Sequence, residues 1–254
     1  MTPGTRPRAS GPHDHYSYAA YADPAMADRF EQVRFGGPIG GLLAESQERV
    51  LVDFVGPLGG RTVIDVGTGT GRAALALAPR GGAVTGVDAS TEMLRVARER
   101  AESRGVRVVF TPGDAHALPF QAGAFDVAVC LRVLMHTPDW TRCVGELCRV
   151  ARHRVVLDYP ALLSAAALQA GARRVAAALG SRVEAYRVLP ARAIRRELAR
   201  HGFRIVAVHR QFVLPIALHK QLGSRAATER IEAGLARTGL LRLLGSPVTL
   251  MAER

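Results

Sequence analysis

The sequence predicts an α/β protein with a doubly wound, mainly parallel sheet. From Thr62 onward, short apolar runs alternate with helical stretches, as in "TVIDV" followed by "RAALALA" and "AVTGVDA" followed by "TEMLRVARERAES". Strands with apolar runs, separated by helices, indicate a parallel sheet that is covered on both faces. The chain has 254 residues and is 48% apolar, which is enough for one large domain with a sizeable core.

The first segment of the chain is predicted to lack structure. Residues 1–15 are rich in Pro, Gly and Ser, and we expect them to form a disordered tail. His13 and His15 flank Asp14 in this tail and are candidate metal ligands. A disordered segment is the favoured interpretation, so we predict no metal site.

Residues 16–60 are predicted to form a helical cap before the sheet. Apolar residues follow helical spacing in "YADPAMADRFEQVRF" and in "LLAESQERVLVDFVG". The glycine-rich "GGPIGG" between these stretches is predicted to break the helix, and "PLGG" to form the turn that ends the cap.

The main domain is predicted over residues 61–254, with a motif core at 63–160. After the first two strands, further strands are expected in "VRVVFTPGDA", "FDVAVCL" and "RVVLDYP", with a helix around "TRCVGELCRVA". The remainder is predicted to be mostly helical at 161–200, a strand at 203–212, a helical insertion at 213–245 and a short strand at 247–253.

The net charge of +12 raises the question of nucleic-acid binding, because a clustered basic face is the electrostatic signature of phosphate recognition. Lys220 is the single lysine among 34 basic residues, and the arginines are spread along alanine-rich helices. Such a spread indicates solvated helix faces, so the charge does not favour a nucleic-acid partner.

The cysteines Cys130, Cys143 and Cys148 are odd in number and form no CxxC pair, which disfavours a disulfide framework or a structural zinc site. We expect them to be small buried residues in a reducing compartment. No apolar stretch at the start resembles a signal peptide, and none reaches the ~18 residues of a membrane-spanning helix. A cytoplasmic location is therefore expected.

The stretch "VIDVGTGTGRAA" carries the clearest functional signal. It places Gly67, Gly69 and Gly71 in the first strand–helix turn, at the sheet edge where open α/β sheets bind ligands. Glycine there permits positive φ and lets a ligand approach the backbone. The spacing is GxGxG and not the dinucleotide pattern GxGxxG, which disfavours a nicotinamide-dependent dehydrogenase.

Three carboxylates follow or end successive strands. Asp65, two residues before Gly67, suits a cationic group such as the ammonium or sulfonium of S-adenosylmethionine, and suits pyrophosphate poorly. Asp88 ends the second strand and is placed to accept hydrogen bonds from both ribose hydroxyls, although it could instead cap the next helix. Asp114 is placed to accept from an adenine amino group while Ala115 offers its N–H, although aspartate is also common in turns. With the glycines, these residues predict S-adenosylmethionine as the cofactor.

The motifs "VIDVGTGTG", "GVDASTEML", "GDAHALPF" and "FDVAVCLRVLMHTPD", in this order, resemble those of class I S-adenosylmethionine-dependent methyltransferases. They are most similar to the branch that includes the ubiquinone and menaquinone biosynthesis methyltransferases. The resemblance implies a Rossmann-like, seven-stranded sheet of order 3-2-1-4-5-7-6 with the seventh strand antiparallel. The runs at 203–212 and 247–253 agree with that final pair of strands.

The resemblance also implies a set of cofactor contacts. Gly67 and its neighbours would bind the methionine part, and Leu131 would contact the cofactor beside the fourth strand. Arg34, in "VRF", matches an arginine that reaches the cofactor carboxylate in the ubiquinone branch, although a solvated helix arginine is the alternative. The complete predicted set is Arg34, Asp65, Gly67, Thr68, Gly69, Gly71, Asp88, Ala89, Met93, Asp114, Ala115 and Leu131.

His136, just after the fourth strand in "LMHTPD", is the candidate catalytic base. Methyl transfer from a sulfonium depends mostly on positioning the acceptor and excluding water. An oxygen acceptor usually also loses a proton, and a histidine titrates near neutrality. Packing or a hydrogen bond toward the cofactor is the alternative role. Enzymes that methylate nucleobase or glutamine amines carry [Asn/Asp]-Pro-Pro-[Tyr/Phe/Trp] where this chain has "CLRV", which disfavours that activity.

The acceptor is expected to be recognised by the helical cap, by the insertion at 213–245 and by the segment after the fifth strand, where Asp158 and Tyr159 are candidate contacts. Apolar stripes interleaved with arginine in the insertion suggest peripheral membrane contact, with a lid or core role as the alternative. The sequence thus predicts methyl transfer to oxygen or carbon of a small aromatic, quinone-like or natural-product acceptor. An RNA methyltransferase and a non-catalytic cofactor-binding protein remain alternatives.

Overall fold

The architecture is given by a computed structural model, which describes residue 18 and residues 21–165, 167, 170–171 and 187–254. The predicted tail at 1–15 lies outside the described residues. The strands are β1 (Thr62–Val66), β2 (Ala83–Asp88), β3 (Val109–Pro112), β4 (Phe125–Cys130), β5 (Ala151–Tyr159), β6 (Arg204–Phe212) and β7 (Ser246–Glu253).

The strands form one sheet in the order β3-β2-β1-β4-β5-β7-β6. β1 pairs in parallel with both β2 and β4, whereas β7 lies antiparallel between β5 and β6. The predicted strand order and the antiparallel seventh strand are both confirmed. This order brings the carboxyl ends of β1, β2 and β4 to neighbouring positions on one edge of the sheet.

Helices cover both faces of this sheet. The helices outside the partly described stretch at 165–186 are α1 (Pro24–Phe35), α2 (Gly37–Val55), α3 (Arg72–Leu77), α4 (Thr91–Ser103), α5 (Trp140–Val150), α6 (Ala191–Arg200), α7 (Ile216–Leu222), α8 (Arg225–Arg237) and α9 (Leu240–Leu244). None of the helices in the described part of the chain is long and apolar enough to cross a membrane.

Alternate residues of β1 belong to two separate apolar layers. Ile64 and Val66 pack in one layer with α5 and α6, while Val63 packs in the other with α2, α3 and α4. Successive side chains of a strand point to opposite faces, so an all-apolar strand requires a helical layer on each side. The three cysteines are buried in the first layer, as expected.

The cap differs from its prediction at the glycine-rich segment. The helix break falls at Gly36 alone, and α2 already begins at Gly37 and continues through Gly40. Pro38 is tolerated in the first turn, where its missing N–H leaves no hydrogen bond unmade. At Gly40 the chain passes so close to Phe35 that a Cβ would lie 2.4 Å from its carbonyl oxygen. These glycines therefore permit close contact between two helices and do not form a long break.

The insertion between the last two strands is helical, as expected, and consists of α7, α8 and α9. It is joined to the end of β6 by one buried carboxylate. Glu232 of α8 accepts hydrogen bonds from the backbone N–H groups of Val213 (2.8 Å) and Leu214 (3.0 Å). Its Oε1 also lies 2.8 Å from Nε2 of the buried His219 on α7. The same side chain thus holds two helices and the connecting loop together.

Candidate functional site

A cleft at the carboxyl edge of the sheet contains most of the predicted site. This strand-end cleft has about 1110 Å³ of empty space, its open mouth included. The predicted residues that line it are Asp65, Gly67, Thr68, Gly69, Asp88, Ala89, Met93, Asp114, Ala115, Leu131 and His136. They come from loops that are far apart in sequence, and the strand order brings them together.

The glycine turn after β1 has the backbone that the sequence predicts. Gly67 and Gly69 have φ values of 70° and 54°, which non-glycine residues rarely adopt. The N–H groups of Gly67 and Thr68 both donate to the carbonyl of Val87, which ties the turn to the end of β2. A Cβ on Gly67 would lie 2.2 Å from Cγ2 of Val133, whereas at Gly69 it would meet no atom within 4 Å. Gly67 is thus required by packing, and Gly69 faces open space.

Asp65 stabilises the glycine turn from inside the protein. Its carboxylate is 2% exposed, and Oδ2 accepts from the Thr68 hydroxyl at 2.6 Å and from the Ala74 N–H at 3.2 Å. Burial raises the pKa of Asp65 to about 6, although the hydrogen bonds oppose that shift. The carboxylate lines the cleft as predicted, but one of its oxygens already orders the turn.

Asp88 connects the first and second strand–helix turns. Its Oδ2 accepts from the Gly69 N–H at 2.8 Å, and its Oδ1 accepts from the Ser90 N–H at 2.9 Å. Burial raises the pKa of Asp88, and these backbone donors act in the opposite direction. The helix cap that was its alternative role belongs to Ser90, whose hydroxyl accepts from the Met93 N–H. The Asp88 carboxylate is therefore held in the cleft wall by backbone groups.

Asp114 lies at the third strand end in a polar cluster. Its Oδ1 accepts from the Tyr18 hydroxyl at 3.0 Å and from the His116 N–H at 2.9 Å, and lies 2.7 Å from Nδ1 of the His116 ring. Burial acts to raise the pKa of Asp114, but these hydrogen bonds outweigh it and the net shift is downward. One oxygen of Asp114 is thus fully engaged, and the neighbouring Ala115 also lines the cleft.

Two predicted cofactor residues lie elsewhere. Gly71 is absent from the cleft wall, and its φ of 82° places it where a Cβ would lie 3.2 Å from Ala97 and 3.3 Å from Phe110. It therefore allows α3 to start close to α4 and β3. Arg34 also lies outside the cleft wall; its Nη2 donates to the Tyr21 hydroxyl at 3.1 Å.

A second cavity adjoins the cleft, with about 1300 Å³ of empty space, its open mouth included. Arg34 lines this cavity, together with the predicted acceptor contacts Asp158 and Tyr159. Much of the remaining wall comes from the end of β6 and from α7, in particular Phe212, Pro215, Ile216 and Lys220. Arg132 and His136 line both the cleft and the second cavity, so they lie at the boundary between the two spaces.

At the boundary between the cleft and the second cavity, Arg132 has an unusual backbone conformation. Its φ is 61°, which is uncommon for a residue other than glycine, and its N–H donates to Oδ1 of Asp158. The other oxygen of Asp158 accepts from Nε2 of Gln47 on α2 at 3.1 Å. Burial raises the pKa of Asp158, against the effect of the Arg132 charge and N–H. Asp158 is thus primarily a support for the loop after β4.

His136 ends a short 3₁₀ turn, Leu134–His136, in that same loop. Its N–H donates to the Val133 carbonyl at 2.8 Å, and its ring lies edge-on to Tyr21 with centroids 5.9 Å apart. A side chain from the cap therefore packs against the ring of the candidate base.

Several cleft residues were not identified from the sequence. They come from the cap and from the starts of the loops: Tyr18, Tyr21, Phe30, Glu31, Phe35, Thr70, Arg72, His116, Arg132 and Val133. Two of them could have been identified from their place in a motif, because Arg72 directly follows the glycine turn and His116 lies in "GDAHALPF". The aromatic residues of the cap carry no such signal, since only the folded chain shows that α1 lies beside the strand ends.

Comparison with known proteins identifies the family of the segment that forms most of the cleft wall. Residues 63–154 match the family model described as "Methyltransferase domain". That range contains β1 to β4 and most of the cleft wall, but excludes the cap and the insertion that line the second cavity.

Curated relatives are similar over the same part of the chain. A demethylmenaquinone methyltransferase of Thermus thermophilus is 41% identical over 105 residues, which are 39% of this chain and 48% of that protein. The methyltransferase GfsG of Streptomyces halstedii is 34% identical over 145 residues, which are 55% of this chain and 48% of that protein. The chain therefore spans about half the length of these curated relatives.

Among solved structures, the fold is similar to that of a magnesium protoporphyrin IX methyltransferase from Synechocystis, described with bound S-adenosylhomocysteine. The TM-score is 0.69 with 20% sequence identity, and the alignment covers 94% of this chain and 98% of that one. At this identity the likeness extends to the fold, including the parts of the chain outside residues 63–154.

Proposed function

We propose that this chain methylates a small-molecule acceptor. The premise is that it contains a class I S-adenosylmethionine-dependent methyltransferase domain, related to those of quinone biosynthesis. The acceptor would be an aromatic, quinone-like or natural-product compound, and the methyl group would go to oxygen or carbon. The observation that carries the proposal is the adjacency of two cavities, with Arg132 and His136 lining both.

The residues of the strand-end cleft fit the cofactor. The open space at Gly69 leaves room for a ligand against the backbone of the turn. Asp88 is held in place by two backbone N–H groups and retains lone pairs to accept hydrogen bonds from ribose hydroxyls. Met93, Ala115 and Leu131 supply apolar surface for a purine ring. When bound there, S-adenosylmethionine supplies an activated methyl group.

The second cavity suits the acceptor. Its wall combines aliphatic and aromatic side chains with a few polar ones, which is the usual composition of small-molecule sites. Tyr159, Phe212 and Ile216 offer surface for a flat or apolar acceptor, and Arg34 and Lys220 offer positive charge. A concave, largely apolar wall supports a small molecule in preference to RNA, which would need a basic groove or stacking platform.

His136 would remove the acceptor proton if the methyl group goes to oxygen. Its position at the boundary of the two cavities supports this role, because a base must reach the hydroxyl that attacks the methyl group. Tyr21 packs edge-on against the ring and would restrict its orientation. The cap would also exclude water from the reacting atoms, which strengthens the effect of positioning.

The cofactor part of the proposal is tested by isothermal titration with S-adenosylhomocysteine. We expect binding by the wild type and roughly 10-fold or greater weakening in Asp88→Asn, which replaces one of two acceptor oxygens by a donor. The exposed Asp28→Asn on α1 is a matched control and should bind normally. Equal affinity of all three proteins would contradict the assignment of the cleft.

The acceptor part is tested with labelled S-adenosylmethionine and a panel of quinols, catechols and hydroxylated polyketides, with total RNA as a separate arm. Label in a small molecule supports the proposal. Label in RNA alone would support the RNA alternative, and cofactor binding without any transfer, including into a cell extract, would support the non-catalytic alternative.

The role of His136 is tested by the pH–rate profile of His136→Ala on an oxygen acceptor found in that panel. Loss of a general base usually lowers the rate by about 10²–10⁴-fold. His153→Ala, which changes an exposed histidine outside both cavities, is the matched control. An unaltered rate and profile in His136→Ala would remove His136 as the base.

We also propose that the insertion contacts membrane surfaces where the acceptor is lipid-like. Leu218 and Leu222 are four residues apart on α7 and are each 48% exposed, with Lys220 between them. Residues four apart lie on the same face of a helix, so these leucines form an exposed apolar strip, whereas Lys220, two residues from each, lies on a different side of α7. Lys220 also lines the second cavity, which would bring a membrane-bound acceptor close to its site.

A further inference from the structure

Arg72, the first residue of α3, has no part in the function described so far. It lines the strand-end cleft and is partly buried there. Its guanidinium lies over the Phe35 ring, with Cζ 4.2 Å from the ring centroid, and Nη2 donates to Oε1 of Gln47 at 2.8 Å. Stacking and this hydrogen bond hold the guanidinium in a fixed position between the cap and the glycine turn.

Arg72 lies near several carboxylates but is not in contact with any of them in the described part of the chain. No carboxylate of the described part of the chain forms an ion pair with it, and one of its five N–H donors is used, by the neutral Gln47. A second guanidinium, that of Arg132, lies 5.8 Å from the centroid of the same Phe35 ring. Burial lowers the pKa of Arg72 to about 10, and the charge of Arg132 acts in the same direction, whereas the more distant charges of Glu31, Asp158 and Asp65 oppose it. A partly buried cation without a contacting carboxylate, beside a like charge, is stabilised when an anion binds to it.

We infer that Arg72 binds the carboxylate of the amino-acid part of the cofactor. The inference rests on the proposed function, because S-adenosylmethionine supplies that carboxylate. A planar guanidinium with free N–H donors matches a carboxylate well, and such charge-assisted hydrogen bonds are the strong ones.

The position of Arg72 indicates that the carboxylate it binds belongs to the cofactor and not to the acceptor. Arg72 lines the strand-end cleft and is absent from the wall of the second cavity. It follows the glycine turn directly, and Gly67 and Thr68 of that turn are the residues assigned to the methionine part. Arg34, to which the family resemblance assigns the carboxylate, lines the second cavity and therefore suits a group on the acceptor.

Two ligands that differ only in the carboxylate test this inference. S-Adenosylhomocysteine carries it, and S-adenosyl-3-thiopropylamine lacks it but keeps the amine, the ribose and the adenine. We expect the wild type to bind the first roughly 10- to 100-fold more tightly in isothermal titration, the usual worth of a hydrogen bond to a charged group. Arg72→Gln should abolish that preference by weakening S-adenosylhomocysteine alone, whereas Arg34→Gln should retain it.

Equal binding of both ligands by the wild type, or an unchanged preference in Arg72→Gln, would overturn the inference while leaving the proposed function standing. Loss of the preference for S-adenosylhomocysteine in Arg34→Gln, but not in Arg72→Gln, would also overturn the inference. Failure of the wild type to bind S-adenosylhomocysteine would instead contradict the proposed function. Arg72→Met, which places an apolar chain of similar length there, replaces Arg72→Gln if that variant does not fold, as judged by its thermal unfolding.

Discussion

Alanine substitutions at Gly67 and Gly69 are expected to separate stability from cofactor binding. Both residues have a left-handed backbone, with φ of 70° and 54°, and alanine in that conformation costs about 1–2 kcal/mol. At Gly67 the new methyl would also lie 2.2 Å from Cγ2 of Val133, and such overpacking costs about 1–3 kcal/mol. Gly67→Ala should therefore destabilise the protein by about 2–5 kcal/mol, and Gly69→Ala by about 1–2 kcal/mol.

The affinity for S-adenosylhomocysteine should show the opposite order, with Gly69→Ala weakened more than Gly67→Ala when both are folded. The methyl of Gly69→Ala would meet no protein atom within 4 Å, and Gly69 lines the strand-end cleft, so the methyl would occupy space proposed for the cofactor. We expect Gly69→Ala to weaken S-adenosylhomocysteine binding strongly, with a smaller loss of stability than Gly67→Ala. Urea unfolding gives the stability of each variant, and isothermal titration gives the affinity under conditions in which both are folded.

A double substitution checks the packing argument. Val133→Ala removes the methyl groups that the new Cβ would meet. In the Gly67→Ala background it should therefore recover the part of the lost stability that is due to overpacking, but not the part that is due to the left-handed backbone. Equal destabilisation by Gly67→Ala and Gly69→Ala, or no coupling between positions 67 and 133, would refute the reasoning.

Three further predictions concern other parts of the molecule. Asp65→Asn should gain stability relative to the wild type as the pH rises from 4 to 7. The pKa of Asp65 in the folded protein, about 6, lies above the ordinary aspartate value of 3.8, so the favourable contribution of Asp65 is complete at low pH and is lost as the carboxyl ionises. Urea unfolding at both pH values should show a change of about 2–3 kcal/mol in the difference between the two proteins, and a constant difference would contradict the burial argument. Glu232→Gln should destabilise the insertion by about 1–3 kcal/mol, because one amide oxygen cannot replace a carboxylate that binds Val213, Leu214 and His219. It should also raise KM for the acceptor more than it lowers kcat, since that loop lines the second cavity, and unchanged stability and KM would count against this role. Finally, the protein should pellet with anionic phosphatidylglycerol vesicles at low salt, and Leu218→Ser with Leu222→Ser should reduce this without changing S-adenosylhomocysteine binding; no pelleting of the wild type would exclude the proposed membrane contact.

The sheet and most of the cleft could be predicted because their signals are local. An apolar strand, a glycine turn and a helix follow one another within a few residues at "VIDVGTGTGRAA", and this pattern specifies a backbone that Gly67 and Gly69 adopt. Carboxylates at the ends of parallel strands must meet at one edge, whatever the rest of the chain does. For that reason Asp65, Asp88 and Asp114 all line the cleft.

The surroundings of Gly71 and Arg34 depend on more than the local pattern. Gly71 belongs to the same alternating series as Gly67 and Gly69, yet it is required by the approach of α3 to Ala97 and Phe110. Arg34 lies in the last turn of α1 and lines the second cavity, a position that depends on how the cap packs against the rest of the chain. In both cases the contacts of the residue are set by parts of the chain that are distant in sequence.

What the sequence by itself determined is therefore the class of fold, the strand order through its family motifs, and the cofactor-type turn, since each depends on periodicity or on spacing within a short segment. The tertiary structure alone decided that Arg72 and Arg132 share the ring of Phe35 and that a second cavity adjoins the cleft at His136. Those features join the cap, the loop after β4 and the insertion, which are separated by many residues. Their contacts arise from packing between elements, and no local pattern of residues encodes the distance between them.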